Sequence, residues 1–223
     1  MGNASEGVQA VIFDFDGTLA HLTIDFGLMR SKVLEIVRAH GLPDEDLEGM
    51  YALELVEEAC RRAPDADGLG RRCAEAIEAV ELAAASEACL VDGVAKALHA
   101  LREAGLRVGV ITRNCRRAVL AVDPGLLDRV DALVAREDAH RVKPDPGHVR
   151  QCLEIMGATE ARVAIVGDHP MDMATAGHAG ALGVGVLTGN SSAVDLEDAG
   201  ADVVVADVPA AVAWILERRR VGG

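Results

Sequence analysis

A chain of 223 residues, half of them hydrophobic, can bury a sizeable core, and charges interrupt every apolar run before the roughly 18 residues that a membrane helix needs. A formal charge of −14 repels nucleic acid and also a phosphate ligand, so any anion site must be built locally from a metal ion, a lysine and backbone N–H groups. Five cysteines, Cys60, Cys73, Cys89, Cys115 and Cys152, are odd in number, widely spaced and away from histidine, which argues against a disulfide framework or a zinc cluster and for reduced thiols in a soluble, cytoplasmic protein.

The first seven residues lack the basic and apolar regions of a signal peptide and read as a loose tail. A β-branched apolar run, Val8 to Phe13, then predicts a buried parallel strand. It ends in Asp14-Phe15-Asp16-Gly17-Thr18-Leu19, where strand alternation points Asp14 and Asp16 the same way and Gly17 breaks the strand.

From Ala20 to Leu90 the signals are helical, with no strand. Phe26, Met29, Val33, Ile36 and Val37 follow helical spacing behind Asp25 as N-cap, and Gly41 with Pro43 stops them. A second helix is expected from near Asp44, carrying Leu47, Tyr51, Leu55, Val56 and Ala59 inward. A third is expected from about Gly68, with Leu69, Cys73, Ile77 and Val80 on its apolar stripe. The reading is a helical cap, 20–90, inserted into a core formed by 1–19 and 91–223.

Beyond the cap, Val94, Leu98, Leu101 and Ala104 share a helical face that Gly105 terminates. Further strands are predicted at Leu106 to Ile111, Asp131 to Val134, Val163 to Val166, Leu182 to Leu187 and Val203 to Val205. Alternation of strands and helices predicts an α/β fold, an open, doubly wound parallel sheet of Rossmann-like type, in which ligands bind outside the carboxyl ends of the strands. Those ends deliver Thr112, then Lys143 in the loop His140-Arg141-Val142-Lys143-Pro144, then Gly167-Asp168-His169-Pro170-Met171-Asp172. Singly, these are a strand-end hydroxyl, a surface lysine and an acidic turn; in this order with Asp14 and Asp16 they form a pattern. By contrast His21, His140, His148 and His178 are scattered, and His169 reads as a solvent-facing loop residue. Arg30 could reach a leaving group, although an exposed helical arginine is the commoner outcome, and Trp214 reads as a packing anchor.

With these residues in place the chain resembles the haloacid dehalogenase superfamily, specifically its phosphoglycolate phosphatase-like members with a helical cap after the first motif. Asp14-x-Asp16-Gly17-Thr18 matches the first motif, Thr112 the second, Lys143 the third, and Gly167-Asp168 with Asp172 the fourth. The resemblance implies a Mg²⁺-dependent phosphatase that hydrolyses a small phosphorylated metabolite through a phospho-aspartate on Asp14. It implies that Mg²⁺ is held by Asp14, the backbone carbonyl of Asp16 and Asp168, with Asp172 orienting the metal's waters or holding Lys143. Asp16 is then the general acid and base. The Thr112 hydroxyl, the backbone N–H of Arg113 or Asn114 and the Lys143 ammonium surround the phosphoryl oxygens, and the cap closes over the site on hinges near Ala20-His21 and Val91-Asp92-Gly93.

Other members of the superfamily fit less well. A dehalogenase has no use for the second acid, Asp16, and a phosphonatase needs a cap lysine, for which only Lys32 is on offer. A sugar phosphomutase, which commonly carries Val where this chain has Thr18, stays open, as does a catalytically silent binding module. Phosphoglycolate, sugar phosphates, nucleotides and pyrophosphate all stay open as substrates. Neither nucleic acid nor membrane is expected as a partner.

Overall fold

The computed structural model describes residues 7–47, 49–159 and 161–221; residues 1–6 of the expected tail lie outside them. The chain divides at Leu22 and Ala88 into two compact units, the segment Thr23–Glu87 and the flanking remainder. Among the described residues no helix is long and apolar enough to cross a membrane.

The flanking unit begins with β1 (Ala10–Phe13) and the two-residue β2 (Ala20–His21). The segment Thr23–Glu87 contributes α1 (Phe26–Ala39), a 3-10 turn at Glu45–Leu47, α2 (Ala52–Arg62) and α3 (Ala66–Ala85). The chain then re-enters the flanking unit through β3 (Cys89–Leu90), α4 (Val94–Glu103), β4 (Arg107–Ile111), α5 (Arg116–Val122), α6 (Leu126–Arg129) and β5 (Ala132–Val134). It finishes with α7 (Pro146–Met156), β6 (Val163–Gly167), α8 (Pro170–Ala179), β7 (Leu182–Val186), α9 (Ala193–Asp198), β8 (Val203–Val205) and α10 (Val208–Val221).

Six strands form one parallel sheet in the order β5-β4-β1-β6-β7-β8. Strand alternation sorts the central side chains onto two faces. Val11, Phe13, Val108, Val110 and Val166 pack with Leu98 and Leu101 of α4 and Ala211 and Ile215 of α10. Ala10, Ile12, Ile111 and Ile165 pack with Val149, Cys152 and Leu153 of α7 and Ala176 of α8. Covering both faces is what allows the strands to be apolar throughout. The chain leaves β1 toward β4 on one side and returns to β6 on the other, so β1 stands at the topological switch point where α/β sheets place their ligands. Trp214 packs partly buried against the first face, with the Arg218 guanidinium 4.4 Å over its ring.

Within Thr23–Glu87 the buried stripe Met29, Val33 and Val37 of α1 meets Leu47, Leu55, Leu69, Cys73 and Ile77. Three expectations need correction. The helix expected from near Asp44 is there only a 3-10 turn, Glu45–Leu47: the Asp44 carboxylate accepts a 2.8 Å hydrogen bond from Arg38 Nε, Gly49 takes a left-handed φ of 80°, and α2 begins only at Ala52. Phe26, expected to share the helical spacing of Met29 and Val33, and Tyr51, expected inward, are 64% and 61% exposed, because they stand at the first position of α1 and the N-cap position of α2, outside the buried stripes. The stretch expected to lack strands begins and ends in the antiparallel pair β2–β3, joined at Ala20–Leu90 and His21–Cys89; two residues per strand are too few to print a period.

The aromatic anchor of β1 gives a direct test of the core. Phe13 is fully buried at the middle of the sheet, so Phe13→Ala should cost about 3–5 kcal/mol of stability. Denaturant unfolding of the two proteins reads this difference.

Candidate functional site

The first motif is a strand end turned into a loop. The Asp14 N–H still donates to Val166 O at 2.9 Å, while Phe13 and Phe15 are buried on the α4/α10 face, leaving Asp14 and Asp16 at the alternate positions. The chain then folds back, with Leu19 and Ala20 N–H groups donating to Phe15 O and Gly17 N–H donating to Ala20 O at 2.8 Å. Gly17 adopts φ +80°, which favours glycine. A Cβ there, or at Gly189 in the loop after β7, would collide with the Asp168 carboxylate. The Thr18 hydroxyl donates to Asp168 Oδ1 at 3.0 Å and the Thr188 hydroxyl to Gly17 O at 2.6 Å. Asp168, the acid that follows β6, is thereby seated against the first motif.

Lys143 is buried and bridges two acids. Its Nζ lies 2.7 Å from Asp14 Oδ1 and 2.6 Å from Asp172 Oδ1. The other Asp172 oxygen accepts the His169 N–H at 3.1 Å, part of a reciprocal cap at the start of α8 in which His169 Nδ1 accepts from Met171 N–H. His169 is exposed, as expected of it, and in addition caps this helix.

Asp16 keeps different company. Its Oδ2 accepts from the Thr112 hydroxyl at 3.1 Å and its Oδ1 from Asn114 Nδ2 at 2.7 Å. The Asn114 N–H, a candidate phosphate donor, is directed at Thr112 Oγ1 at 3.0 Å. Arg113 sets Nη1 3.1 Å from Met171 Sδ, and its carbonyl accepts from Arg136 Nη1. Arg30 donates to Leu47 O at 3.2 Å inside its own helical unit.

Apart from Arg113, whose side chain turns to Met171, the expected site residues in the strand-end loops fall into linked groups: Asp14, Lys143 and Asp172; Asp16, Thr112 and Asn114; Asp168 with Thr18. Two participants were not foreseen. Asn114 holds Asp16 through its side chain, beyond the backbone role expected of it. His148, fully buried in the first turn of α7, accepts the Lys143 N–H on Nδ1 at 3.2 Å. A buried polar residue five positions beyond a site lysine was the only available signal, and its partners are backbone groups that a sequence does not display.

The electrostatics are those of an acid-rich pocket with one cation. Burial raises the Asp14 carboxyl well above its ordinary range, Lys143 opposes that, and Asp172 and Asp16 add to it. Burial likewise raises Asp16, against the hydrogen bonds from Asn114 and Thr112. Burial and the neighbouring Asp172 lift Asp168 to about 6. For Lys143 burial works against the ammonium, but Asp14 and Asp172 outweigh it and raise its pKa. Asp14, Asp168 and Asp172 offer carboxylate oxygens within 4.8 Å of one another. An all-oxygen donor set whose buried acids cling to protons for want of positive charge fits a hard divalent cation such as Mg²⁺.

That mismatch predicts a pH effect. Asp168, raised from 3.8 to about 6, binds its proton more tightly in the folded metal-free chain than in the unfolded one, so stability falls as pH rises from about 4 through about 6. Asp168→Asn removes this loss. In the presence of chelator it should melt higher than the native chain at pH 7.5, by roughly 6–12 °C for a shift worth about 3 kcal/mol, with the gap closing toward pH 4. Thermal scans across that pH range measure it.

Haloacid dehalogenase-like hydrolases match residues 11–186. An N-acetylmuramic acid 6-phosphate phosphatase of Pseudomonas aeruginosa is 30% identical over 221 residues, covering 95% of this chain and 96% of that protein. A phosphoglycolate phosphatase of Cereibacter sphaeroides is 29% identical over 182 residues, covering 78% and 82%. A hydrolase from Pseudomonas syringae of known structure superposes with a TM-score of 0.70 at 23% identity, covering 94% of this chain and 98% of the other, and so shares the fold. This chain belongs to the haloacid dehalogenase-like hydrolases.

Proposed function

We propose that the chain is a phosphatase that transfers the phosphoryl group of a small phosphomonoester to Asp14 and then to water. The observation that carries this reading is the separation of partners between two acids of one motif: Asp14 is paired to the buried ammonium of Lys143, whereas Asp16 is held by the neutral donors Thr112 and Asn114. Two carboxyls in different environments suit two different roles. The phosphatase names of the relatives in two substrate classes support the reaction type.

On this reading an Asp14 oxygen attacks phosphorus and the bond to the leaving oxygen breaks, while Asp16 passes that oxygen its proton. Water then attacks phosphorus, Asp16 takes its proton, and the bond to the Asp14 oxygen breaks to release phosphate. Lys143, with Thr112 and the backbone after it, faces the phosphoryl oxygens and balances their charge. Asp172 keeps Lys143 in place through the 2.6 Å contact. Bound Mg²⁺, for which Asp14, Asp168 and the Asp16 carbonyl are the proposed ligands, supplies further neutralisation of phosphoryl charge. The segment Thr23–Glu87 is read as the substrate-selecting cap.

Two measurements test the reading. Exhaustive chelation should abolish hydrolysis of an aryl phosphate and added Mg²⁺ should restore it; unchanged turnover in chelator refutes the metal assignment. Rapid-quench labelling separates the acids. Asp14→Asn should form no covalent phospho-enzyme. Asp16→Asn should still be labelled by an aryl phosphate, accumulate the intermediate, and lose about 10²- to 10⁴-fold on an alkyl phosphate whose leaving group needs protonation. Label on Asp14→Asn, or equal losses on both substrates in Asp16→Asn, would overturn the roles.

A further inference from the structure

We propose that His148 is a positioning residue for Lys143, locking the lysine's backbone to the carbonyl that also anchors Thr112. The proposal rests on the phosphatase reading, since it assigns to His148 the alignment of two groups that face the phosphate.

The ring of His148 is fully buried and both its nitrogens are engaged. Nδ1 lies 3.2 Å from the Lys143 N–H, and Nε2 lies 3.0 Å from Val134 O. A backbone N–H only donates and a carbonyl only accepts, so the partners select one tautomer, neutral with its proton on Nε2. Burial, together with the positive charge of Lys143, lowers the basicity of the ring to about 4, which keeps it in this acceptor–donor form. Val134 O, at the end of β5, also accepts the Thr112 N–H at 3.2 Å. One carbonyl thus receives the residue after β4 on one side and, through the imidazole, the lysine loop on the other.

The side chain hanging from that loop bridges Asp14 and Asp172. Across the loop, His178 of α8 hydrogen-bonds Pro144 O at 3.0 Å, so the segment is tied both to the β5 end and to the helix that carries Asp172. Without an acceptor at Nδ1 the Lys143 N–H is left buried and unpaired, and the loop must shift to satisfy it. A shift of about 1 Å in a positioned charge costs on the order of 10²-fold in rate.

The test is a double-mutant cycle that distinguishes positioning from packing. His148→Phe keeps an aromatic ring but offers no acceptor; His148→Asn gives up the ring but keeps an oxygen near the place of Nδ1. Each is made in the native chain and in Lys143→Met, and all are assayed below their melting temperatures for aryl phosphate hydrolysis and for binding of inorganic phosphate, the latter readable when turnover is too slow. The expected result is a loss of about 10²-fold in kcat/KM for His148→Phe, a smaller loss for His148→Asn, weaker phosphate binding in the same order, and no further loss from either change once Lys143 is Met. Equal losses with and without the lysine, no loss, or a worse Asn than Phe variant would overturn the proposal and leave the phosphatase reading intact. Full turnover in Lys143→Met itself would instead remove that reading and this proposal with it.

Discussion

The structure is organised around one buried ammonium. Lys143 is almost wholly removed from solvent, and an unpaired cation there would be prohibitively costly. It is tolerated because two carboxylates meet it at 2.7 and 2.6 Å. The compensation is lopsided, however: four aspartates, Asp14, Asp16, Asp168 and Asp172, converge on the neighbourhood of a single positive charge. Burial, with repulsion from neighbouring acids adding to it, raises the acids' proton affinity. The surplus negative charge also explains how a chain of net charge −14 can be built to receive an anion. On the proposed reading the phosphate needs positive charge at one point only, and a cation drawn by the surplus acids would add to what the lysine provides.

Bringing those acids together is the work of the sheet. Asp14, Thr112 and Asp168 each follow a strand, and β4, β1 and β6 are neighbours. Parallel pairing aligns their carboxyl ends, so residues nearly 100 positions apart, such as Asp16 and Asn114, meet within hydrogen-bond range. Close approach then demands small residues. Gly17, Gly167 and Gly189 each lie where a Cβ would run into the carboxylate of Asp168 or Asp172.

Much of this was legible in the chain because the constraints are local. Continuous apolar strands such as Val163–Gly167 signal burial on both faces, and Asp14, Asp16, Lys143 and Asp168, each unremarkable alone, stand out through their order along the chain in the loops that follow the strands. The misreadings arose where local pattern and tertiary context diverge. Phe26 and Tyr51 keep helical spacing yet sit at helix starts, Asp44 is drawn off by Arg38, and β2 and β3 are defined by pairing with each other. His148 and the side chain of Asn114 were illegible for a related reason: their partners, Val134 O, Lys143 N–H and Asp16, are assembled only by the fold.

The hydrogen bonds of Asp16 carry one further consequence for the proposed chemistry. Thr112 and Asn114 both donate to its carboxylate, and such bonds favour the ionised form. A general acid must begin protonated. Thr112 is also a proposed donor to the phosphoryl oxygens, and one hydroxyl proton cannot serve two acceptors. When a phosphate takes that proton, Asp16 loses a bond that held its pKa down, while burial continues to push it up and the arriving dianion adds repulsion. Substrate binding and protonation of the acid then favour each other by linkage. The donors that oppose the burial-raised pKa of Asp16 in the resting site are thus compatible with its acting as an acid once the site is filled.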